Sequence, residues 1–168
     1  MTIEFDINES TEISGVYIMR PSVSEDGRGN IWTSFLKDRV EDFLPDDLYF
    51  KHDKFSASKC NVLRGIHGDT KSWKLVTCVH GEVQQVVVDM RKDSPTYKQW
   101  QDFVISKDNQ QLILIPPNMG NAYYVKSSEA VYHYKLAYSG DYIDADEQFS
   151  VKWNDNTIGI NWMSDNPI

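Results

Sequence analysis

A chain of 168 residues with 40% hydrophobic content can bury one ordinary core, and a formal net charge of −8 argues against nucleic acid as its main partner. Apolar runs are too short to cross a bilayer as a helix, the start Met1-Thr2-Ile3-Glu4 lacks the basic and apolar regions of a signal peptide, and Cys60 and Cys78 are too few for a disulfide framework. The composition therefore predicts a soluble cytoplasmic protein with reduced thiols, one domain over residues 1–168, and a small-molecule partner rather than nucleic acid or membrane.

Taken in chain order, the apolar residues recur with a period of two far more often than with helical spacing. Gly15 to Arg20 and Ile31 to Phe35 read as strands. Lys37 to Leu44 reads as a helix, with Val40, Phe43 and Leu44 on one face and Pro45 as its stop. Strands then follow at Val62 to His67 and Lys74 to Val79, with His80-Gly81 as a turn into Val83 to Met90. In that last strand Val83, Gln85, Val87 and Asp89 face one way, and Gln84, Val86, Val88 and Met90 the other. Trp100 to Ile105, Gln111 to Ile115, Asn121 to Val125 and Ala130 to Tyr138 complete the set. Many short strands between turns predict an all-β sandwich or barrel, most economically a double-sheet jelly roll with one or two short helices.

The chemistry concentrates in Leu63-Arg64-Gly65-Ile66-His67, with Lys74 seven residues beyond the histidine. An imidazole that takes a proton, an ammonium that stabilises a developing enolate and a guanidinium that holds phosphate form a plausible set, although a lone strand histidine is more often structural. His52, His67, His80 and His133 show no His-x-His spacing, so a metal-free site is expected.

Further residues occur in a recognisable order: Asp26-Gly27-Arg28-Gly29, Arg64-Gly65-Ile66-His67, Gly81-Glu82-Val83 running to Val88-Asp89-Met90-Arg91, Ser94-Pro95-Thr96, Ile115-Pro116-Pro117, Tyr134-Lys135 and Ile158-Gly159-Ile160-Asn161-Trp162. This series, spanning about residues 15 to 163, resembles the dTDP-4-dehydrorhamnose 3,5-epimerase family, cupin-fold enzymes acting on nucleotide-linked 4-keto sugars. The resemblance implies a cupin jelly roll, no cofactor, and epimerisation through an enolate. It assigns His67 as base, Tyr134 as the acid on the opposite face and Lys74 as the group holding the enolate oxygen. It also puts Arg28 and Arg64 near a diphosphate, with Lys59 and Asn61 within reach of the nucleotide. Each arginine has an ordinary surface ion pair as its alternative, and Tyr134 a buried phenol with one hydrogen bond. A homodimer is implied as well, with the segment Glu4 to Tyr17 long enough to exchange a strand between subunits.

Three departures from the family pattern matter. Gly120-Asn121-Ala122-Tyr123 stands where most members have Ala-His-Gly-Phe, and Gln85 where the strand usually carries aspartate, so two neutral amides replace an ionisable pair near the sugar. Gly-Asn-Ala with Gln85 resembles a subgroup acting on GDP-linked 4-keto-6-deoxy-heptoses in capsular polysaccharide biosynthesis, which predicts inversion at C3, or at C3 and C5, with Gln85, Asn121 and Tyr123 as substrate-binding residues. Members usually carry, beyond the Ile-Gly-Ile segment, an aspartate that orients the histidine; here Met163 follows Trp162 and the sequence stops at Ile168, so either the given chain is shortened at this end, or an acid such as Asp165 or Asp69 substitutes, or His67 works without a carboxylate. A nucleotide-sugar 3,4-ketoisomerase and a non-catalytic sugar-binding cupin are the competing readings.

Overall fold

A computed structural model describes residues 2–168. The alternation in β8 (Glu82–Asp89) dictates a layered architecture, because its two faces are both apolar and must both be covered. Val83 and Val87 join one buried cluster, Val86 and Val88 another. On the first side a six-stranded antiparallel sheet packs against the sheet that contains β8. Its order is β1 (Phe5–Glu9), β2 (Tyr17–Pro21), β10 (Leu112–Ile115), β7 (Trp73–His80), β12 (Glu129–Ala137), β5 (Phe50–Lys59). The β8 sheet has five strands, ordered β13 (Phe149–Ser150), β6 (Leu63–Gly68), β11 (Met119–Val125), β8, β9 (Trp100–Ser106). A separate hairpin joins β3 (Val23–Asp26) to β4 (Gly29–Trp32). The result is the expected nearly all-β, two-sheet cupin sandwich.

The main core lies between the sheets, where Val76, Ile113 and Ile115 meet Val83, Val87, Ile105 and Tyr123. The outer face of the six-stranded sheet is closed by α1 (Lys37–Val40) and a following 3-10 turn, with Val40 against Met19, Leu75, Leu112 and Leu114. The outer face of the second sheet is closed by residues 151–162, which carry little regular structure; Val151, Ile158, Ile160 and Trp162 pack on Ile66, Val86 and Val88. The described residues contain no helix long and apolar enough to cross a membrane.

Several expectations are corrected. The helix anticipated from Lys37 to Leu44 is one α turn followed by a 3-10 turn, and in Ile31 to Phe35 only Ile31 and Trp32 are strand, because the chain must leave the hairpin to reach α1. Phe5–Glu9, not anticipated as a strand, is one and pairs with β2. The ten-residue β5 was not anticipated, since Phe-Lys-His-Asp-Lys-Phe-Ser-Ala-Ser-Lys has no apolar alternation; it is an edge strand bonded along its length to β12. At the predicted His80-Gly81 turn, Gly81 has φ +78° and a Cβ there would stand 2.2 Å from the Glu129 carbonyl, so glycine is required.

Asp89 closes the far end of β8. Fully buried, it accepts hydrogen bonds from Arg91 Nε and Nη2 (both 2.9 Å), Ser94 Oγ and Thr96 Oγ1 (both 2.6 Å), and Arg91 also reaches the Ser14 carbonyl at 2.9 Å. Burial pushes this carboxyl up, but the donors outweigh it and hold the group down at about 2. The unfolded carboxyl titrates near 3.9, so this stabilisation is complete above about pH 4 and lost as pH falls through 2. Asp89→Asn is therefore expected to cost roughly 2 to 3 kcal/mol in urea unfolding at pH 7, with the gap to the unsubstituted protein closing between pH 4 and 2.

Candidate active site

Between the sheets, at the end opposite the Gly81 turn, a cavity of about 530 Å³ is walled by residues of five strands, among them Lys54, Arg64, His67, Lys74, Asn121 and Tyr134. Strict alternation would send Arg64 and His67, three residues apart, to opposite faces of β6. Both line the cavity because the ladder is interrupted: Asn121 pairs with His67 and Tyr123 with Arg64, so one residue of β6 is left over. Gly65 sits at that irregularity with φ +124°, and a Cβ on it would meet Ala122 Cβ at 2.5 Å and the Asn121 carbonyl at 2.6 Å. Only glycine lets β6 come this close to β11.

His67 Nδ1 lies 2.9 Å from Ser150 Oγ. Burial and the nearby Lys74 cation both hold its imidazole below the ordinary value, so at neutral pH it is an uncharged base. Lys74 is buried, and burial pulls its ammonium down while the Asp69 carboxylate opposes that. Tyr134, across the cavity's wall on β12, is pushed well up by burial and by Tyr123 beside it, with Arg64 pulling the other way. It is thus a protonated donor. One neutral base and one protonated acid, on different sheets, share a single cavity with a buried cation.

Asn121 is held from behind. Tyr132 donates its hydroxyl proton to Gln85 Oε1, and Gln85 Nε2 donates to Asn121 Oδ1 at 2.6 Å. Asn121 thus lines the cavity with its amide oriented by Gln85. Tyr123 stacks on Tyr132 at 4.0 Å between ring centroids and donates to Ser56 Oγ at 2.9 Å. Gln85 and Tyr123 accordingly sit behind the lining and orient it.

Arg64 lines the cavity with its Nε donating to Ser58 Oγ at 2.8 Å. The other predicted binding residues are not brought there within this chain. Asn61 instead anchors residues 164–168, donating to the Asn166 carbonyl and accepting from Tyr124 and Ser164. Lys59 ends β5 exposed and outside the lining, and Arg28, at the tip of the β3–β4 hairpin, is almost fully exposed and paired with Asp26. Neither anticipated carboxylate meets His67: Asp165 lines a different surface depression beside Trp153 and Trp162, and Asp69 caps the β6–β7 turn by accepting from the Lys71 and Ser72 amides. Among the described residues no three His, Cys, Asp or Glu side chains converge as metal ligands. Lys54, Tyr142 and Ser150 were invisible as site residues, since nothing in their sequence neighbourhoods marks them.

A sequence profile described as dTDP-4-dehydrorhamnose 3,5-epimerase matches residues 10–168. The chain belongs to that family. Among its relatives, dTDP-4-dehydrorhamnose 3,5-epimerase of Salmonella typhimurium is 37% identical over 155 residues, covering 90% of this chain and 83% of the relative. dTDP-4-dehydrorhamnose 3-epimerase of Streptomyces niveus is 31% identical, covering 93% and 75%. The crystal structure of dTDP-6-deoxy-D-glucose-3,5-epimerase from Legionella pneumophila in complex with dTDP-4-keto-L-rhamnose superposes with a TM-score of 0.86 at 33% identity, covering 95% of this chain and 84% of that one. Membership makes this chain an isomerase, and the fold of the family is the fold found here.

The cation beside His67 has a measurable effect. Lys74→Met is expected to raise the His67 midpoint toward the ordinary 6.5 in an NMR pH titration, because one of the two influences holding it down is removed; a midpoint that stays or falls would separate the two groups.

Proposed function

We propose that this chain is a cofactor-independent epimerase of a nucleotide-linked 4-keto-6-deoxy sugar, in which His67 removes the proton next to the ketone and Tyr134 returns one to the opposite face. The observation that carries this is the pairing of an uncharged His67 and a protonated Tyr134 on opposing sheets of one cavity. The C4 carbonyl acidifies the hydrogens at C3 and C5. When His67 takes one, the C–H electron pair moves into the ring and the carbonyl oxygen becomes an enolate, which the Lys74 ammonium stabilises. Reprotonation at the same carbon by the Tyr134 phenol inverts it, the electrons returning to form the C–H bond as the ketone is restored. The tyrosine ends as a phenolate and the histidine as an imidazolium, and both reset through solvent. Arg64 supplies the guanidinium for a diphosphate. A homodimer, as the family resemblance implies, gives the exposed Arg28 hairpin a second copy to reach.

For the sugar nucleotide, the relatives named above specify dTDP. The finer reading of a GDP-4-keto-6-deoxy-heptose, inverted at C3 or at C3 and C5, is supported by the resemblance of Gly120-Asn121-Ala122 and Gln85 to that subgroup, the two amides being hydrogen-bonded to each other at the cavity wall. Incubation in D2O with GDP-4-keto-6-deoxy-heptose and, separately, dTDP-4-keto-6-deoxyglucose tests both levels. Deuterium entering C3 with inversion is the expected result, faster on the GDP sugar. A reversed preference assigns the site to dTDP, and no exchange with either overturns the epimerase reading.

Three substitutions divide the steps. His67→Asn should abolish exchange while leaving nucleotide-sugar binding mostly intact, because a base acts in the transition state. Tyr134→Phe should let deuterium enter C3 with retention faster than inverted product appears; inversion at the original rate would remove the acid role. Arg64→Ala should weaken nucleotide diphosphate binding by about 1.5 to 3 kcal/mol, read by titration calorimetry.

A further inference from the structure

The turn between β6 and β7 brings two polar atoms to the cavity that the protein itself leaves without a partner. Asp69 uses one carboxylate oxygen to hold the turn, accepting from the Lys71 amide at 2.9 Å and the Ser72 amide at 2.6 Å, and its carbonyl accepts from the Asn118 amide at 2.8 Å. The other oxygen, Oδ2, and the Ser72 hydroxyl are buried with no hydrogen-bond partner among the described residues, and both residues line the cavity. Asp69 is 5% exposed and Ser72 3%, so the rest of the chain shields both from solvent. Lys74 lies near enough for the Asp69 charge to support its ammonium, yet it does not bond Oδ2. Unpaired buried acceptors are costly, and where they face a binding cavity they mark the place at which a ligand completes the bonding.

We propose that Asp69 Oδ2 and Ser72 Oγ are specificity-determining contacts for the C5 side chain of the sugar: they hold a terminal hydroxyl there, and the site prefers 4-keto sugars that carry one over those that end in a methyl. This rests on the reading above, with the diphosphate at Arg64, the reacting carbons at His67 and the C4 oxygen at Lys74. Along the cavity wall these groups follow in chain order, Arg64 and then His67 on β6 and Asp69 to Ser72 in the turn beyond, at roughly 3.3 Å per strand residue. In a pyranose C4 stands opposite C1, and C5 adjoins C4. A sugar with C1 toward Arg64 and its C4 oxygen at Lys74 therefore directs the C5 substituent past His67 to the turn. An ionised carboxylate only accepts, so its partner must be a donor, and a hydroxyl can donate to Oδ2 while it pairs with the Ser72 hydroxyl. A methyl leaves both atoms unpaired. A 6-deoxy-heptose ends in such a hydroxyl at C7, whereas a 6-deoxy-hexose ends in the C6 methyl. The end of the C5 chain, and not the nucleotide base, is what these two atoms read.

The test compares two sugars on one nucleotide, GDP-4-keto-6-deoxy-heptose and the GDP-4-keto-6-deoxy-hexose of the same ring configuration. In the D2O assay the unsubstituted protein should exchange C3 of the heptose with a kcat/KM about tenfold or more above that of the hexose, the effect of one charge-assisted hydrogen bond. Asp69→Asn keeps the oxygen that holds the turn and removes the charged acceptor, and should bring that ratio to within about twofold of unity. Ser72→Ala should lower the ratio by about threefold or more, and because it deletes an unpaired buried hydroxyl it should not lower the urea midpoint of the protein without ligand. Should Asp69→Asn fail to fold, Ser72→Ala carries the comparison. Binding is read apart from chemistry in a His67→Asn background, where titration calorimetry should show the heptose nucleotide bound about tenfold more tightly than the hexose nucleotide, with the same loss of preference on adding either substitution. If neither sugar exchanges in the unsubstituted protein while this binding preference holds, the epimerase reading fails and the C5 contact stands. Equal affinity for the two sugars, or substitutions that weaken both alike by removing a contact to a hydroxyl they share, would overturn the inference.

Discussion

Everything at the site depends on how closely β6 approaches β11 at Gly65. A side chain there would collide with the Asn121 carbonyl and the Ala122 methyl, and the strand could not slip by one residue between Arg64 and His67. That slip aims a guanidinium and an imidazole at one cavity from a strand whose regular pleat would separate them. The same contact places Asn121 directly opposite His67. Ordinary sheet geometry could have delivered any one of these groups. It takes the irregularity to deliver all of them.

Burial then divides the ionisable groups by role. Partial burial and the Lys74 charge hold His67 below its ordinary value, and burial favours the protonated form of Tyr134, so the cavity pairs a base with an acid at neutral pH. Asp69 and Arg64 temper this at the edges of the cavity, one supporting the Lys74 charge and the other easing Tyr134. Behind them, Tyr132, Gln85 and Asn121 form a hydrogen-bonded chain that orients the Asn121 amide at the cavity wall.

The sequence was most legible where burial dictates residue type. β7, β8, β11 and β12 read correctly because both their faces are covered and their apolar residues have nowhere else to go. β5 was silent because it lends Lys54 and Ser56 to the cavity, and a strand that faces solvent and substrate keeps no apolar period. His67, Arg64 and Tyr134 were found through an ordered series of motifs, Lys74 through its spacing from His67 and Asn121 as a departure from the family pattern, and the fold does bring them to one cavity. Lys59 and Asn61 lay beside the Arg64 motif in sequence but apart from the cavity, since neighbourhood along a strand says nothing of the side on which a residue ends, and Arg28, itself within a motif, stands on a hairpin outside the cavity in this chain. Ser150 shows the opposite failure. Eighty-three residues separate it from His67, and a serine between a phenylalanine and a valine carries no local signal.

The segment that carries Ser150 stands apart from the sheets in a further respect. Residues 151–162 are fastened by Val151, Ile158, Ile160 and Trp162 to the outside of the second sheet, while the inner core is complete without them. A change at position 150 therefore leaves the packing between the sheets as it was. The hydroxyl that meets His67 is thus carried at the edge of this outer strap, so a substitution there is felt at the cavity's rim before it is felt in the packing between the sheets.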